Sequence, residues 1–362
     1  MRSFILRSFC FVFPFFILYG ITYLFCSYQV FPDLLRLGYL PNFGNKELLD
    51  DYEFFRNNEI NLLSETNLKK FQLMTIGDSF SDQGASGYSN FLAQKFSLLH
   101  INRFSLMPKA THKFSSIQAL IDLYNGDFFD NYQIDYVILE CVERHFIDIS
   151  ENIDWDTKVT LQEIDSLIQI QRQYIPVQEK KQISTAFSKP IFFSRTTLEF
   201  PLYALPRYLF TENYLSHQTY NATLNTNSLF SNVMDKLLFY YFDLENLPKN
   251  NDFNNVRQLN DILNTLTQKL KEKNIQLIVL PAPDKYDLYY DFILDKTNFP
   301  KPLFFEHWRI LDKDYLFIDT KQILSAELEN QTDLYFFGDT HWSPKAAKLI
   351  AEYIERVVDI KR

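Results

Sequence analysis

From Ser8 to Pro32 the chain reads SFCFVFPFFILYGITYLFCSYQVFP, 25 residues without one charged side chain. At about 1.5 Å of rise per residue, a helix of this length crosses a hydrocarbon layer roughly 30 Å thick. The run has no polar face, which argues against a buried helix at the start of a soluble domain. A cleaved signal peptide would show a shorter apolar centre and small residues at its exit, whereas YLFCSYQVF is bulky there. The expectation is therefore an uncleaved anchor over residues 8–32, with residues 1–7 as a short cytoplasmic terminus. Arg2 and Arg7 precede the run and Asp33 is the first charge after it. By the positive-inside tendency, this predicts a single pass through the inner (cytoplasmic) membrane with the rest of the chain periplasmic or otherwise extracytoplasmic.

Beyond this segment the composition is that of a globular protein. Of 362 residues, 46% are hydrophobic and 17% aromatic, enough for a sizeable core. A formal net charge of -9 and the lack of any long basic run argue against nucleic acid as a partner. The 3 cysteines, Cys10, Cys26 and Cys141, provide neither a disulfide framework nor a zinc spacing, and no metal or cofactor is expected.

Residues 33–70 are mixed and rich in charge and Asn, as in a juxtamembrane connector, and the globular pattern opens at Phe71. The stretch LMTIGDSFS, residues 73–81, reads as a strand and a tight turn, with a helical segment at Tyr88–Phe96. A helix is expected over Ser115–Tyr124, a buried strand over Tyr136–Leu139 and a polar helix around Lys158–Gln173. Residues 184–250 break this rhythm with clustered Phe and Tyr, prolines and many Asn and Thr, and read as an insertion or cap. Its aromatics serve packing or, alternatively, contact with sugar rings. An amphipathic helix over Asn255–Glu272 runs into a strand at Gln276–Leu280, and residues 315–319 form another short strand. Strands alternating with helices predict an α/β fold, a mainly parallel sheet covered on both faces, over residues 71–362.

Two loops carry chemistry. Gly77-Asp78-Ser79 can present a hydroxyl at the sheet edge, although Asp and Ser also favour plain turns. Near the C-terminus, FFGDTHWSPKAA places Asp339 and His341 just before a helix start, where Ser343 caps and Pro344 takes the first turn. An imidazole takes a serine proton best when a carboxylate fixes its tautomer, so Ser79, Asp339 and His341 form a candidate triad. A turn Asp and a surface His are the simpler account of Asp339 and His341; Trp342 and the helix cap favour the functional one. His307 lies in a helical run and reads as structural, and His100, His112, His145 and His217 are isolated.

The set GDSFS, ECVER, LPAPDKYDLYY and GDTHWSPKAA resembles the SGNH-hydrolase-like domain of the alginate O-acetyltransferase family, the AlgJ and AlgX group, from about Phe71 onward. The resemblance implies Ser79 as acyl-accepting nucleophile, His341 as general base and Asp339 as its orienting carboxylate. In the alginate enzymes the Asp-His motif precedes the serine, whereas here the serine comes first, and the Gly-Asn-Asp block of ordinary SGNH esterases is absent. The backbone N–H of Ser79 is one expected oxyanion donor. Arg144 is a candidate for a second, with a salt bridge to Glu140 or Glu143 as the alternative, and Lys285 is a candidate at the site's border, with Asp284 beside it as a helix cap. The function expected is an extracytoplasmic O-acetyltransferase acting on a cell-surface or exported polysaccharide, supplied with acyl groups by a multi-spanning membrane O-acyltransferase. A membrane-anchored carbohydrate esterase and a catalytically silent carbohydrate-binding protein are the competing readings.

Overall fold

A computed structural model describes residues 2–26, 34, 59–63, 66–103, 106, 114–174, 214–216 and 219–360. The first element is a helix, Arg2–Cys26, whose side chains through Leu18 are exposed. It is long and apolar enough to cross a membrane, a test that a signal sequence also passes. The helix begins earlier than the uncharged run, taking in Arg2 and Arg7, because nothing in RSFILR opposes helix. Residues 27–32 of the expected span lie outside the described residues.

The strands are β1 (Asn61–Leu62), β2 (Lys70–Ile76), β3 (Leu98–Ile101), β4 (Gln133–Val142), β5 (Tyr214–Ser216), β6 (Thr219–Thr223), β7 (Lys236–Tyr240), β8 (Gln276–Ala282) and β9 (Leu316–Phe317). Six of them form one sheet in the order β1-β3-β2-β4-β8-β9, with every pairing parallel. In the middle of β4 and β8, side chains alternate between the two faces. Tyr136, Ile138, Ile278 and Leu280 enter one hydrophobic cluster; Val137, Leu139, Leu277 and Val279 enter the other. A strand buried on both faces needs this continuous apolar run. The helices Ser116–Asn125 and Phe253–Glu272 cover the second cluster, and Pro344–Ile360 covers the first. Both start as local capping rules dictate: Ser115 and Asp252 accept backbone N–H groups of the first turn. The architecture is thus a mainly parallel sheet with helices around it, preceded by one apolar helix.

Two expectations need adjustment. The connector over 33–70 contributes to the domain itself, since β1 forms the sheet edge beside β3 and Leu34 is buried in the first cluster. Their charged, Asn-rich setting gave no strand pattern. Of the insertion at 184–250, residues 184–213, 217 and 218 lie outside the described residues; the described part includes an antiparallel sheet, β5-β6-β7, and two short helices, Phe242–Glu245 and Leu247–Asn250. Its aromatics Phe230 and Phe239 pack with Tyr286, Tyr289 and Phe337 in the first cluster.

The chain moves from β2 to β3 on one side and then to β4 on the other. Where order reverses in this way, the carboxyl ends of the strands leave a crevice between their loops. Gly77-Asp78-Ser79 follows β2 directly, and Glu143 and Arg144 follow β4.

Candidate active site

Ser79 and His341 lie 262 positions apart in sequence and meet at this edge, with Ser79 Oγ 2.8 Å from His341 Nε2. His341 Nδ1 is 2.6 Å from Asp339 Oδ1, which also accepts the His341 backbone N–H at 3.0 Å. With Nδ1–H donated to the carboxylate, Nε2 is left as the acceptor for the serine proton. Asp339 is 1% exposed and the His341 side chain 17%, so the carboxylate is shielded while the imidazole reaches solvent at the serine.

The serine turn is held by its neighbours. Asp78 Oδ1 accepts the Phe80 N–H, and Oδ2 accepts the Val142 N–H, both at 2.9 Å, which ties the turn to the end of β4. Glu140, fully buried on β4, accepts the Asp78 N–H at 3.1 Å and the Ser81 hydroxyl at 2.7 Å, both on Oε2. Its Oε1 has no donor among the described residues. Burial, and then the Asp78 carboxylate, raise Glu140 well above the usual carboxylate range and favour its protonated form. Gly77 is needed here because a Cβ would fall 2.3 Å from both Glu140 Oε2 and Ser81 Oγ.

The histidine loop is braced as closely. Tyr335 and Trp342 pair as an antiparallel bridge that closes residues 336–341. The Trp342 indole donates to Gln83 Oε1 at 2.7 Å, and Gln83 Nε2 returns a bond to the Trp342 carbonyl, joining the two halves of the site. Phe80 packs against His341 and Trp342 at ring separations of 4.8 and 4.9 Å. Ser343 Oγ accepts the Lys345 N–H and starts the helix Pro344–Ile360.

Lys285 is fully buried, and its ammonium donates to the carbonyls of Phe336, Phe337 and Asp339 at 2.7, 2.6 and 3.3 Å. It is therefore the floor of the histidine loop. Arg144 donates through Nη1 to Asp284 at 2.8 Å and lies 3.4 Å from Asp243, so its partners are neither Glu140 nor Glu143. Burial opposes its charge, but Asp243 and Asp284 outweigh this and hold its pKa above the ordinary value. Burial in turn pushes Asp243 up to about 6 against the pull of Arg144. Asp284 makes no capping bond to its helix, since its carboxylate is taken by Arg144. His307 Nε2 lies 3.0 Å from the Asn251 carbonyl, a structural contact. His100 sits between Thr75 and Asp82, and His145 against Phe242. His112 and His217 lie outside the described residues.

Sequence reasoning missed Glu140, Gln83, Phe80 and the duty of Lys285. The only local signal was the charge in ECVER, an acid inside an apolar strand, which a buried partner must explain. Among the described residues no group of three or more His, Cys, Asp or Glu side chains is placed to hold a metal ion.

Comparison with curated proteins and with solved structures finds no match. Comparison with protein families does: residues 235–361 match the family described as SGNH hydrolase-like domain, acetyltransferase AlgX. That segment holds Asp243, Asp284, Lys285, Asp339 and His341, while Ser79, Glu140 and Arg144 lie before it. The match takes in β8 and the whole histidine loop, and over that segment the chain is similar to the AlgX-type SGNH hydrolase-like acetyltransferase domain.

Proposed function

We propose that this protein is a membrane-anchored, extracytoplasmic O-acetyltransferase that modifies a cell-surface or exported polysaccharide through an acyl-serine intermediate. The observation that carries the reading is the unbroken chain from Ser79 Oγ through the imidazole to Asp339, at 2.8 and 2.6 Å. Ser79 Oγ attacks the acyl carbonyl carbon while its proton passes to His341 Nε2. Collapse of the adduct breaks the bond to the donor's leaving group, which takes that proton. A sugar hydroxyl then gives its proton to His341 and attacks the acyl-serine, and Ser79 Oγ recovers the proton as the ester forms on the glycan. The Ser79 N–H is assigned to the oxyanion. Lys285 is not, because its ammonium engages the loop carbonyls, and Arg144 turns its Nη1 to Asp243 and Asp284.

The apolar helix Arg2–Cys26 supports the anchor, and Arg2 and Arg7 support a cytoplasmic terminus. An extracytoplasmic domain has no access to acetyl-CoA, so the acyl group arrives from a multi-spanning membrane O-acyltransferase. Replacing Ser79→Ala in cells and measuring glycan acetyl content tests the reading. A glycan as poor in acetyl as that left by loss of the supplier is expected. A glycan more acetylated than wild type would instead establish the esterase, and an unchanged one would exclude Ser79 from the chemistry.

A further inference from the structure

The histidine loop depends on contacts from outside itself. Its own backbone–backbone bonds, Phe336 N–H to the His341 carbonyl and Asp339 N–H to the Phe336 carbonyl, are long at 3.3 and 3.4 Å, and its short internal bonds are those between the Asp339 carboxylate and His341. Shorter bonds to its backbone carbonyls come from elsewhere. Lys285 takes the carbonyls of residues 336, 337 and 339, and the Gly338 carbonyl between them accepts the backbone N–H of Leu34 at 2.9 Å. Long hydrogen bonds are weak, so these braces hold the loop's backbone more firmly than its own backbone–backbone bonds do.

Leu34 is seated firmly. Its side chain is 1% exposed within the first hydrophobic cluster, and its own carbonyl accepts the Thr219 hydroxyl at 2.8 Å from β6. Leu34 lies eight positions beyond Cys26, the last residue of the apolar helix. Eight residues span at most roughly 28 Å.

We propose that Leu34 is a positioning residue for the His341 loop, so that this one residue helps complete the site, and the chain length back to Cys26 keeps it within roughly 30 Å of the membrane face where that helix ends. This rests on the reading of Ser79 and His341 as the reacting pair and of Arg2–Cys26 as an anchor. Its consequence is that catalytic geometry and reach toward a membrane-embedded acyl donor are set by one contact.

The test uses the full-length chain in detergent, with p-nitrophenyl acetate as probe. Leu34→Ala should lower kcat on the order of 10- to 100-fold with KM little changed, as sub-ångström displacement of a catalytic group does, and Leu34→Met should restore it. A merely structural role would reduce folded protein, followed by circular dichroism, without altering kcat of the folded fraction. If Leu34→Ala does not fold, Thr219→Val, which removes only the bond to the Leu34 carbonyl, carries the same expectation at smaller size. Unchanged kcat in whichever of these folds overturns the positioning role. Ten Gly and Ser residues inserted between Ser27 and Asp33 should leave ester turnover intact but lower glycan acetylation in cells; unchanged glycan acetylation overturns the reach. Ester turnover that survives Ser79→Ala would refute the reacting pair, an outcome separate from either.

Discussion

Gly77→Ala puts the close packing beneath the serine turn to a direct test. The new Cβ would lie 2.3 Å from Glu140 Oε2 and from Ser81 Oγ, and 2.9 Å from Glu140 Cβ. Ordinary contact begins at 3.4 Å, so the shortfall is 3.4 − 2.3, or 1.1 Å. Glu140 has little room to withdraw, since its residue pairs with Leu280 on β8 and its carboxyl is bound to Asp78 and Ser81. Ser81 is itself held by the Tyr88 hydroxyl at 2.8 Å. The turn must therefore give way and carry Ser79, two residues on, by about 1 Å, enough to cost on the order of 100-fold in kcat. Overpacking of this kind costs about 1–3 kcal/mol, and at roughly 2–4 °C per kcal/mol the melting temperature should fall by several degrees. Calorimetry and burst kinetics with p-nitrophenyl acetate measure both. A variant that melts with wild type and turns over at the wild-type rate would refute the account of the serine turn.

Glu140→Gln keeps the shape of the protonated acid, with an oxygen for Asp78 N–H and Ser81, and should retain most activity, while Glu140→Ala should not. Because Glu140 is raised in the folded state, wild type binds more protons folded than unfolded and loses stability as pH climbs from the ordinary carboxylate value toward the raised one. Melting curves of Glu140→Gln should be flatter across that window; parallel curves would show that Glu140 is already ionised. Lys285→Met keeps the buried stem but removes the donors to three carbonyls, and should cost about 2–4 kcal/mol together with a kcat loss larger than any KM change.

What the sequence revealed and what it hid divide along the range of the interaction. The start of the C-terminal helix was legible in Ser343-Pro344 because capping is settled within one turn, and β4 and β8 were legible because continuous apolar runs mark strands buried on both faces. Ser79, Asp339 and His341 were each visible as candidates in short motifs, but only the fold puts Ser79 and His341 in contact. Arg144 could be marked as a cation at a strand end, yet its partner Asp243 sits in the irregular segment 184–250, where no periodicity predicts a position. Leu34 and β1 were hidden for a related reason. One buried leucine and a two-residue strand are too short to leave a pattern, so a stretch that reads as connector holds the sheet edge and the histidine loop.

Polar side chains along the carboxyl edge of the sheet form a series. Asp78, just beyond β2, accepts the Val142 N–H at the end of β4. Glu143, just beyond β4, accepts the Asp284 N–H beyond β8 at 3.0 Å. Thr320 then donates to the Pro281 carbonyl of β8 from the helix that follows β9. At each step a side chain from one loop takes the backbone of its neighbour. Buried ionic groups of this kind give little net stability, because desolvation offsets their attraction, and Glu143 shows that cost in a pKa raised first by burial and then by Asp287 and Asp284. Their effect is on position. They join the loops that follow β2, β4, β8 and β9 into one ledge at the end of the sheet where Ser79 stands. The histidine loop has no long strand of its own in that sheet. It reaches the ledge through Lys285, which extends from the helix after β8, and through Leu34, which arrives from the side of the apolar helix. The alignment of His341 on Ser79 therefore rests on those two attachments together with the Gln83–Trp342 bonds and the Phe80 packing.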